Sequence, residues 1–357
     1  MNQPPKKKRA TLQDVALAAG VSPMTVSRTI NGHPYVTLET ARKIQEAIQS
    51  LDYRPNHAAR VLTGKLSRSI GLIVPDISDT FFSVVSHAVQ ETARAENYLV
   101  WLAASEDDLA IEVAQVETMT HHPVDGIILV PSNSRAPYLK GVAAASTPVV
   151  TVDRPIEITA TDSVGVENRA GAIMAMDHLI QHGYKRIACI AANTHLLPIK
   201  DRIAGYKDSL QRSRLSYSKE VLLKSSASSR PVLTDLLTSR NRPDALFTAN
   251  NASTIWVIET LKELNMKMGK DIGLVGFDDV DFFTLITPSV TAVRQPAAEL
   301  GNAATRLLLQ RINNEVRTPS VRVVLPVTLT IRESCGCKKS TKASSAQKPH
   351  DAAVPSK

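Results

Sequence analysis

Four side chains in one short run, Ser22, Thr25, Ser27 and Arg28, have the chemistry to hold a nucleic acid. The three hydroxyls are short donors suited to phosphate oxygens, and a guanidinium reads guanine through two parallel hydrogen bonds. A basic run, Lys6-Lys7-Lys8-Arg9, lies just upstream. Constellations for bond-making are missing by contrast. No G-x-G pattern occurs, which removes the dinucleotide fingerprint, and there is no Walker A, G-x-S-x-G or H-E-x-x-H. Cys335-Gly336-Cys337 leaves one residue between its thiols, too few for a zinc knuckle. His121-His122 reads as a helix end and Glu106-Asp107-Asp108 as a solvated loop leading into a helix. The expectation is a binding protein, not an enzyme, with no metal or cofactor.

The four donors need an element to present them. Thr11 can cap a first helix, with Asp14 in its first turn and Val15, Ala16 and Ala19 as its apolar stripe. Gly20 ends it through a left-handed backbone, and Val21 plugs the corner. Ser22 then caps a second helix from Pro23 to Ile30, with proline at the position where its missing N–H costs nothing. Val26 and Ile30 face inward, which leaves Pro23, Met24, Ser27 and Arg28 outside. This is a helix-turn-helix whose second helix is shaped for a DNA major groove. A plain helical hairpin is the bland alternative. Thr37 caps a third helix to about Leu51, with Ala41, Ile44, Ile48 and Leu51 on one face.

Charge is segregated along the 357 residues. Residues 1–65 hold ten Lys/Arg against four Asp/Glu, residues 66–332 hold 27 against 28, and residues 333–357 hold five against two. A basic head on a neutral body fits nucleic-acid binding by the head. Three cysteines, Cys189, Cys335 and Cys337, make no disulfide framework. With no secretory signal and no membrane-length apolar run, the expected location is the cytoplasm.

Residues 55–65 have a proline start, an alanine-rich body and a glycine stop. They read as a linker that becomes helical only when held, or as a plain tether. From Ser69 apolar runs alternate with helical stretches: Ile70–Val74, Leu99–Ala103, Gly126–Val130, Val149–Val152, Ile187–Ala191, Ala245–Thr248 and Ile272–Gly276. The intervening helices are expected at Phe82–Glu96, Leu109–Thr120, Arg169–Gln181, Arg202–Arg212 and Ile255–Leu264. This is the signature of parallel sheets covered on both faces. Two doubly wound halves, about 69–160 and 161–290, are followed by a helix near 296–314 and a strand over 321–331 that cross back. The fold class is α/β: a three-helix head, a hinge helix and a two-lobed core. The domains expected are a basic arm at 1–10, the helix-turn-helix at 11–54, the hinge at 55–67, the two-lobed domain at 68–332 and a disordered tail at 333–357.

Several runs are similar to the lactose/galactose-repressor family of bacterial transcription regulators. They are Thr11-Leu12-Gln13-Asp14-Val15-Ala16, Ala19-Gly20-Val21-Ser22, Thr25-Val26-Ser27-Arg28 and Asn31-Gly32. Tyr53-Arg54-Pro55-Asn56, Ser69 to Asp76, His178-Leu179, Gly183-Tyr184, Asp201-Arg202 and Gly205-Tyr206 continue the match. Gly276-Phe277-Asp278-Asp279, Thr291 to Pro296 and Arg332 to Cys335 complete it in order. The resemblance implies a homodimer on a palindromic double-stranded operator, with second helices in the major groove and linker helices in the minor groove. It implies base-edge contacts from Pro23, Met24 and Arg28, with phosphates held by Thr25, Ser27, Asn31, Tyr35, Thr37 and Thr40. Ser22, Leu12, Asn56 and Ala59 join the DNA-facing set, and Leu62 would wedge between base pairs. Met24 can instead fill the helix–helix contact.

The two lobes resemble periplasmic sugar-binding proteins, which implies a small molecule between them near the carboxyl ends of the strands. By motif position the effector-binding candidates are Asp79, Phe81, Asp153, Arg202, Asn250, Asp278 and Gln295. Phe81 can instead cap the core, and Asn250 and Asp278 can be turn residues holding their own backbone. Asn250-Asn251 stands where the family pattern has Asn-Asp, and Glu167 stands where Asp is common. With one acid fewer, a sugar acid or phosphosugar becomes a fuller candidate beside a sugar. A nucleobase or a protein corepressor is the alternative control. A sugar-binding transport receptor and a sugar-processing enzyme with a regulatory head are the readings from other classes. No leucine heptad is present in the tail, which favours a dimer.

Overall fold

The computed structural model describes residues 10–30, 35–53, 66–121, 124–144, 147–223, 226–315 and 319–336. The basic arm, Asn31, the linker with Asn56, Ala59 and Leu62, Cys337 and the rest of the tail lie outside the described residues. The chain forms two compact units, dividing between Ser67 and Arg68.

The first unit holds α1 (Leu12–Ala19), α2 (Pro23–Ile30) and α3 (Leu38–Ser50). Thr11 and Asp14 cap α1 reciprocally: Asp14 N–H donates to Thr11 Oγ1 at 3.3 Å and Thr11 N–H to Asp14 Oδ2 at 2.8 Å. Gly20 ends the helix at φ +65°. Thr25 N–H donates to Ser22 Oγ at 3.2 Å, and Thr40 N–H to Thr37 Oγ1 at 3.3 Å, so both predicted caps form. Val15, Ala16, Val26, Ile44 and Ala47 make the core of this unit.

In the second unit the strands are β1 (Ser69–Val74), β2 (Leu99–Ala104), β3 (Gly126–Leu129), β4 (Val149–Val152), β5 (Asp162–Val166), β6 (Ile187–Ala192), β7 (Lys219–Leu223), β8 (Ala245–Thr248), β9 (Gly273–Phe277), β10 (Thr291–Arg294), β11 (Arg322–Leu325) and β12 (Thr328–Thr330). Helices α4 (Thr80–Ala95), α5 (Leu109–His121), α6 (Tyr138–Ala144), α7 (Asn168–Gln181), α8 (Leu197–Arg212), α9 (Ser226–Thr238), α10 (Asn251–Glu263) and α11 (Ala297–Ile312) cover them. Two six-stranded sheets result, ordered β11-β5-β4-β3-β1-β2 and β12-β10-β9-β8-β6-β7. Each is parallel throughout, except that β12 runs antiparallel to β10. The central strands are buried apolar runs, as a sheet covered on both faces requires.

Several details depart from the sequence expectation, three of them at the lobe and tail boundaries. The strand expected over 321–331 is two strands, one in each sheet, broken at Pro326, which has no N–H to give a ladder. β5 belongs to the first lobe, so that lobe is residues 69–166 plus α11 and β11 rather than 69–160. The body also runs past Arg332. Ser334 and Cys335 are fully buried, with Ser334 Oγ donating to Leu274 O at 2.7 Å and Tyr184 Oη donating to Cys335 O at 3.1 Å. These bonds tie Ser334 to β9 and Cys335 to the turn after α7, so the folded body includes residues 333–336, which the expected tail boundary at 333 left out.

Candidate DNA-facing helix and interlobe site

On the head, α2 presents Pro23, Met24 and Arg28 to solvent, with Thr25 and Ser27 half-buried beside them. Met24 is 64% exposed, so it does not fill the contact between helices. Ser22 and Thr25 hydroxyls lie 2.9 Å apart and those of Thr37 and Thr40 2.8 Å apart, each pair closing the first turn of its helix. Tyr35 is exposed, and Leu12 packs partly against the core of the head.

In the second unit the expected effector residues sort into three groups. Arg202, only 3% exposed, projects from α8 to the ends of the second sheet. Its Nε donates to Asn168 Oδ1 at 2.8 Å, and its Nη1 to Ala249 O at 2.8 Å and to Asp278 Oδ2 at 3.2 Å. The guanidinium carbon sits 3.7 Å from the centre of the Phe277 ring, a cation–π contact that fixes its plane. Gln295 Nε2 donates to Asp278 Oδ1 at 2.6 Å. Arg202, Asp278 and Gln295 are therefore one bonded cluster.

Asp153 ends β4 of the other lobe and is within electrostatic reach of Arg202 and Asp278. Burial pushes its carboxyl above the usual range, Asp278 and Asp107 push the same way, and Arg154 and Arg202 oppose them. Asp153 and Asp278 both hold left-handed backbones, at φ +64° and +72°. Strain of this kind at non-glycine residues collects at functional sites.

Asp79 caps α4, taking Phe81 N–H on Oδ1 at 2.8 Å, and its Oδ2 accepts from Asn251 Nδ2 of the second lobe at 3.1 Å. Burial raises its carboxyl and the Asn251 and Phe81 bonds lower it, with Asp278 adding a smaller upward push. Asn250 caps α10, its Oδ1 accepting from Ser253 N–H at 3.0 Å and from the Ser253 hydroxyl at 2.6 Å. Phe81 packs edge-to-face on Phe82 with centroids 5.1 Å apart and lies against the main core. For these two the bland alternatives describe the contacts seen.

Sequence reasoning passed over Arg154, Asp107, Asn168 and the Asp79–Asn251 bond. Arg154 is buried, pairs with Asp107, lies 3.6 Å from Asp153 Oδ2 and donates to Pro131 O at 3.3 Å. Asp107 is thus an ion-pair partner and not simply part of a solvated loop. The available signal was Asp153-Arg154, two opposite charges directly after an apolar strand. A cavity of about 30 Å³ borders this cluster, lined by Asp153, Ser163, Asn168, Asp201 and Arg322 among others.

A helix-turn-helix head joined to a two-lobed α/β core with a polar cluster between its lobes is the architecture of a DNA-binding transcription regulator. The family model for bacterial regulatory proteins of the lacI family matches residues 11–56, and that for a periplasmic binding protein-like domain matches residues 176–335. The ribose operon repressor of Halalkalibacterium halodurans is 31% identical over 324 residues, 91% of this chain and 96% of that one. A structure of the lac repressor dimer bound to operator and the anti-inducer ONPF has a TM-score of 0.80 at 25% identity, covering 92% of this chain and 99% of that one. A structure of the transcriptional regulator CelR with cellobiose has a TM-score of 0.69 at 27% identity, covering 91% and 100%. The chain belongs to the lacI family of bacterial transcription regulators, which is not a family of enzymes. Among the described residues no helix is long and apolar enough to cross a membrane.

Proposed function

We propose that this chain represses transcription as a homodimer on a palindromic double-stranded operator, with a small molecule between its lobes setting the affinity. The observation that carries the reading is the interlobe polar cluster. Arg202, Asp278 and Gln295 on one lobe face Asp153 on the other, and Asp79 and Asn251 are bonded across the gap. A ligand seated there exchanges bonds with groups of both lobes, so it favours one lobe arrangement over another. The outward face of α2, with Met24 and Arg28, supports base-edge contact; Met24 offers apolar contact, as to thymine methyls. Leu12, Ser22, Thr25, Ser27, Tyr35, Thr37 and Thr40 are the proposed supporting contacts. Asn31, Asn56, Ala59 and Leu62 are carried by the family resemblance alone.

Dimerisation has its own support. The sheets end on the corresponding edge strands β2 and β7, where Leu99, Trp101, Leu102 and Leu222 are exposed. Apolar edges of this kind are normally covered. Coupling then runs from the cleft to the spacing of the two linkers, with Leu62 entering the minor groove when they pack. A thousandfold change in operator affinity needs about 4 kcal/mol of coupling.

Selection from a random double-stranded DNA library tests the first half. A two-fold symmetric consensus is expected, bound by one dimer; an asymmetric or absent consensus contradicts it. Leu62→Ala should weaken specific binding far more than non-specific binding, and equal losses would remove the wedge.

A further inference from the structure

Three neighbouring strands of the second sheet, β9, β8 and β6, run parallel, so the loops that lead into them lie at one end of that sheet. Each loop brings two cations there. Lys185 and Arg186 precede β6, Arg240 and Arg242 precede β8, and Lys267 and Lys270 precede β9, and all six are exposed. The two acids of these loops spend their oxygens on backbone. Asp244 accepts from the N–H groups of Lys185 at 3.2 Å and Arg186 at 2.9 Å, and Asp271 from that of Lys267 at 2.8 Å. Glu263, at the end of α10, pairs with Arg230. Among the described residues none of the six cations pairs with a carboxylate.

A positive end of a sheet has a bland explanation. Helices α7, α9 and α10 finish here before β6, β8 and β9, and cations complement the negative ends of helices. Cations serving that purpose hydrogen-bond the last carbonyls. Of the six, only Arg186 donates to a backbone oxygen, and its partner at 3.0 Å is Arg242 O, in a loop and not in a helix. Arg242 Nη1 lies 3.8 Å from Met266 Sδ.

The charge continues along the chain. Gly269 stands between Lys267 and Lys270, and a Cβ added to it would come 3.2 Å from Gly336 N. Residues 337–357, which follow, carry five lysines and one acid. The loops expose no large apolar side chain over 182–186, 239–244 or 265–272. A protein partner is held by an apolar centre with a polar rim, whereas a phosphate backbone is held by cations alone. Duplex DNA is also the polymer that a helix-turn-helix head keeps at high effective concentration around the rest of its own chain.

We propose that this end of the second lobe is a sequence-independent contact for the phosphate backbone of double-stranded DNA, separate from the helix-turn-helix and from the interlobe cleft. It adds affinity for any duplex and reads no bases.

The test is fluorescence-anisotropy titration of the full chain with a labelled duplex of mixed sequence, about 30 base pairs long, between about 50 and 200 mM NaCl. One variant combines Lys185→Gln, Arg240→Gln, Lys267→Gln and Lys270→Gln, with its melting temperature measured beside the parent's. Each phosphate contact adds about 0.9 to the slope of log K against log salt, so the slope falls by about 2–4 and affinity at the lowest salt falls at least about tenfold. The same four changes in Arg28→Glu, which disables the head, remove most of the binding that remains. A slope unchanged by the four substitutions in both backgrounds overturns the proposal. An unchanged slope with a lowered melting temperature also overturns it and assigns the cations to the helix ends. Phosphatidylglycerol vesicles are the competitor. If they displace the duplex from Arg28→Glu at equal phosphate concentration, the surface belongs to lipid and the assignment to DNA is overturned.

Discussion

Asp153 and Asp278 stand at the same place in two copies of one architecture. Each directly follows the third strand of its sheet, β4 in one order and β9 in the other, and each turns with a positive φ. Their surroundings differ. After Asp153 comes Arg154, a buried cation held by Asp107. After Asp278 comes Asp279, which turns away to take Arg332 Nη2 at 2.9 Å and Arg294 Nε at 2.9 Å. Asp278 instead receives its cation from a helix, through Arg202. One lobe therefore carries Asp278 bonded directly to both Arg202 and Gln295. The other carries Asp153, a buried acid whose nearest cation atom, Arg154 Nε, lies 3.6 Å away.

The largest effect should come from breaking the bond to Arg202. Arg202→Met leaves Asp278 without its cation and Asn168 and Ala249 without their donor. A loss of about 3–5 kcal/mol in denaturant unfolding is expected, together with loss of ligand binding. A stability change under about 1 kcal/mol would mean that the cluster is not an anchor.

The adjacent aspartates sharpen the comparison. Asp279→Asn, at a side chain 1% exposed between two guanidinium groups, should cost about 2 kcal/mol and leave ligand affinity unchanged. Asp278→Asn should cost less stability and most of the affinity. The reverse pattern in paired unfolding and calorimetry would exchange the two roles.

Asp153 makes the pH prediction. Its folded-state carboxyl lies above the ordinary value, so the folded chain binds more protons than the unfolded one between the two. Its unfavourable contribution is absent below the ordinary carboxylate range and fully present above the raised value. Asp153→Asn should therefore gain stability relative to the parent as pH rises through that window, and then hold a constant difference. A difference flat across the window contradicts the burial argument. The smallest effect is expected from Asn251→Asp, which replaces a donor facing Asp79 with a second acid. It should cost roughly 1 kcal/mol near neutral pH, and recover as pH falls and the acids are protonated.

Much of this architecture could be read from residue order. The helix-turn-helix was visible because its signals are local: Thr11, Gly20, Ser22 and Pro23 each act within one turn of helix. The central strands were visible as apolar runs. β5, Asp162–Val166, and β7, Lys219–Leu223, escaped because they are short and carry polar residues. The break at Pro326 escaped because only the arrangement of both sheets shows which strand joins which. In the site, Arg202, Asp278 and Gln295 were found by motif, and the structure bonds them together. Arg154 with Asp107, and Asp79 with Asn251, lie 47 and 172 residues apart, and nothing local announces such pairs.

The most direct test of the account is reciprocity between cleft and operator. With a ligand identified, its Kd is measured with and without saturating operator, and the operator Kd with and without saturating ligand. Linkage requires the same factor in both directions. The account predicts a large factor, the same in both directions. A ligand that binds between the lobes and leaves operator affinity unchanged would contradict it.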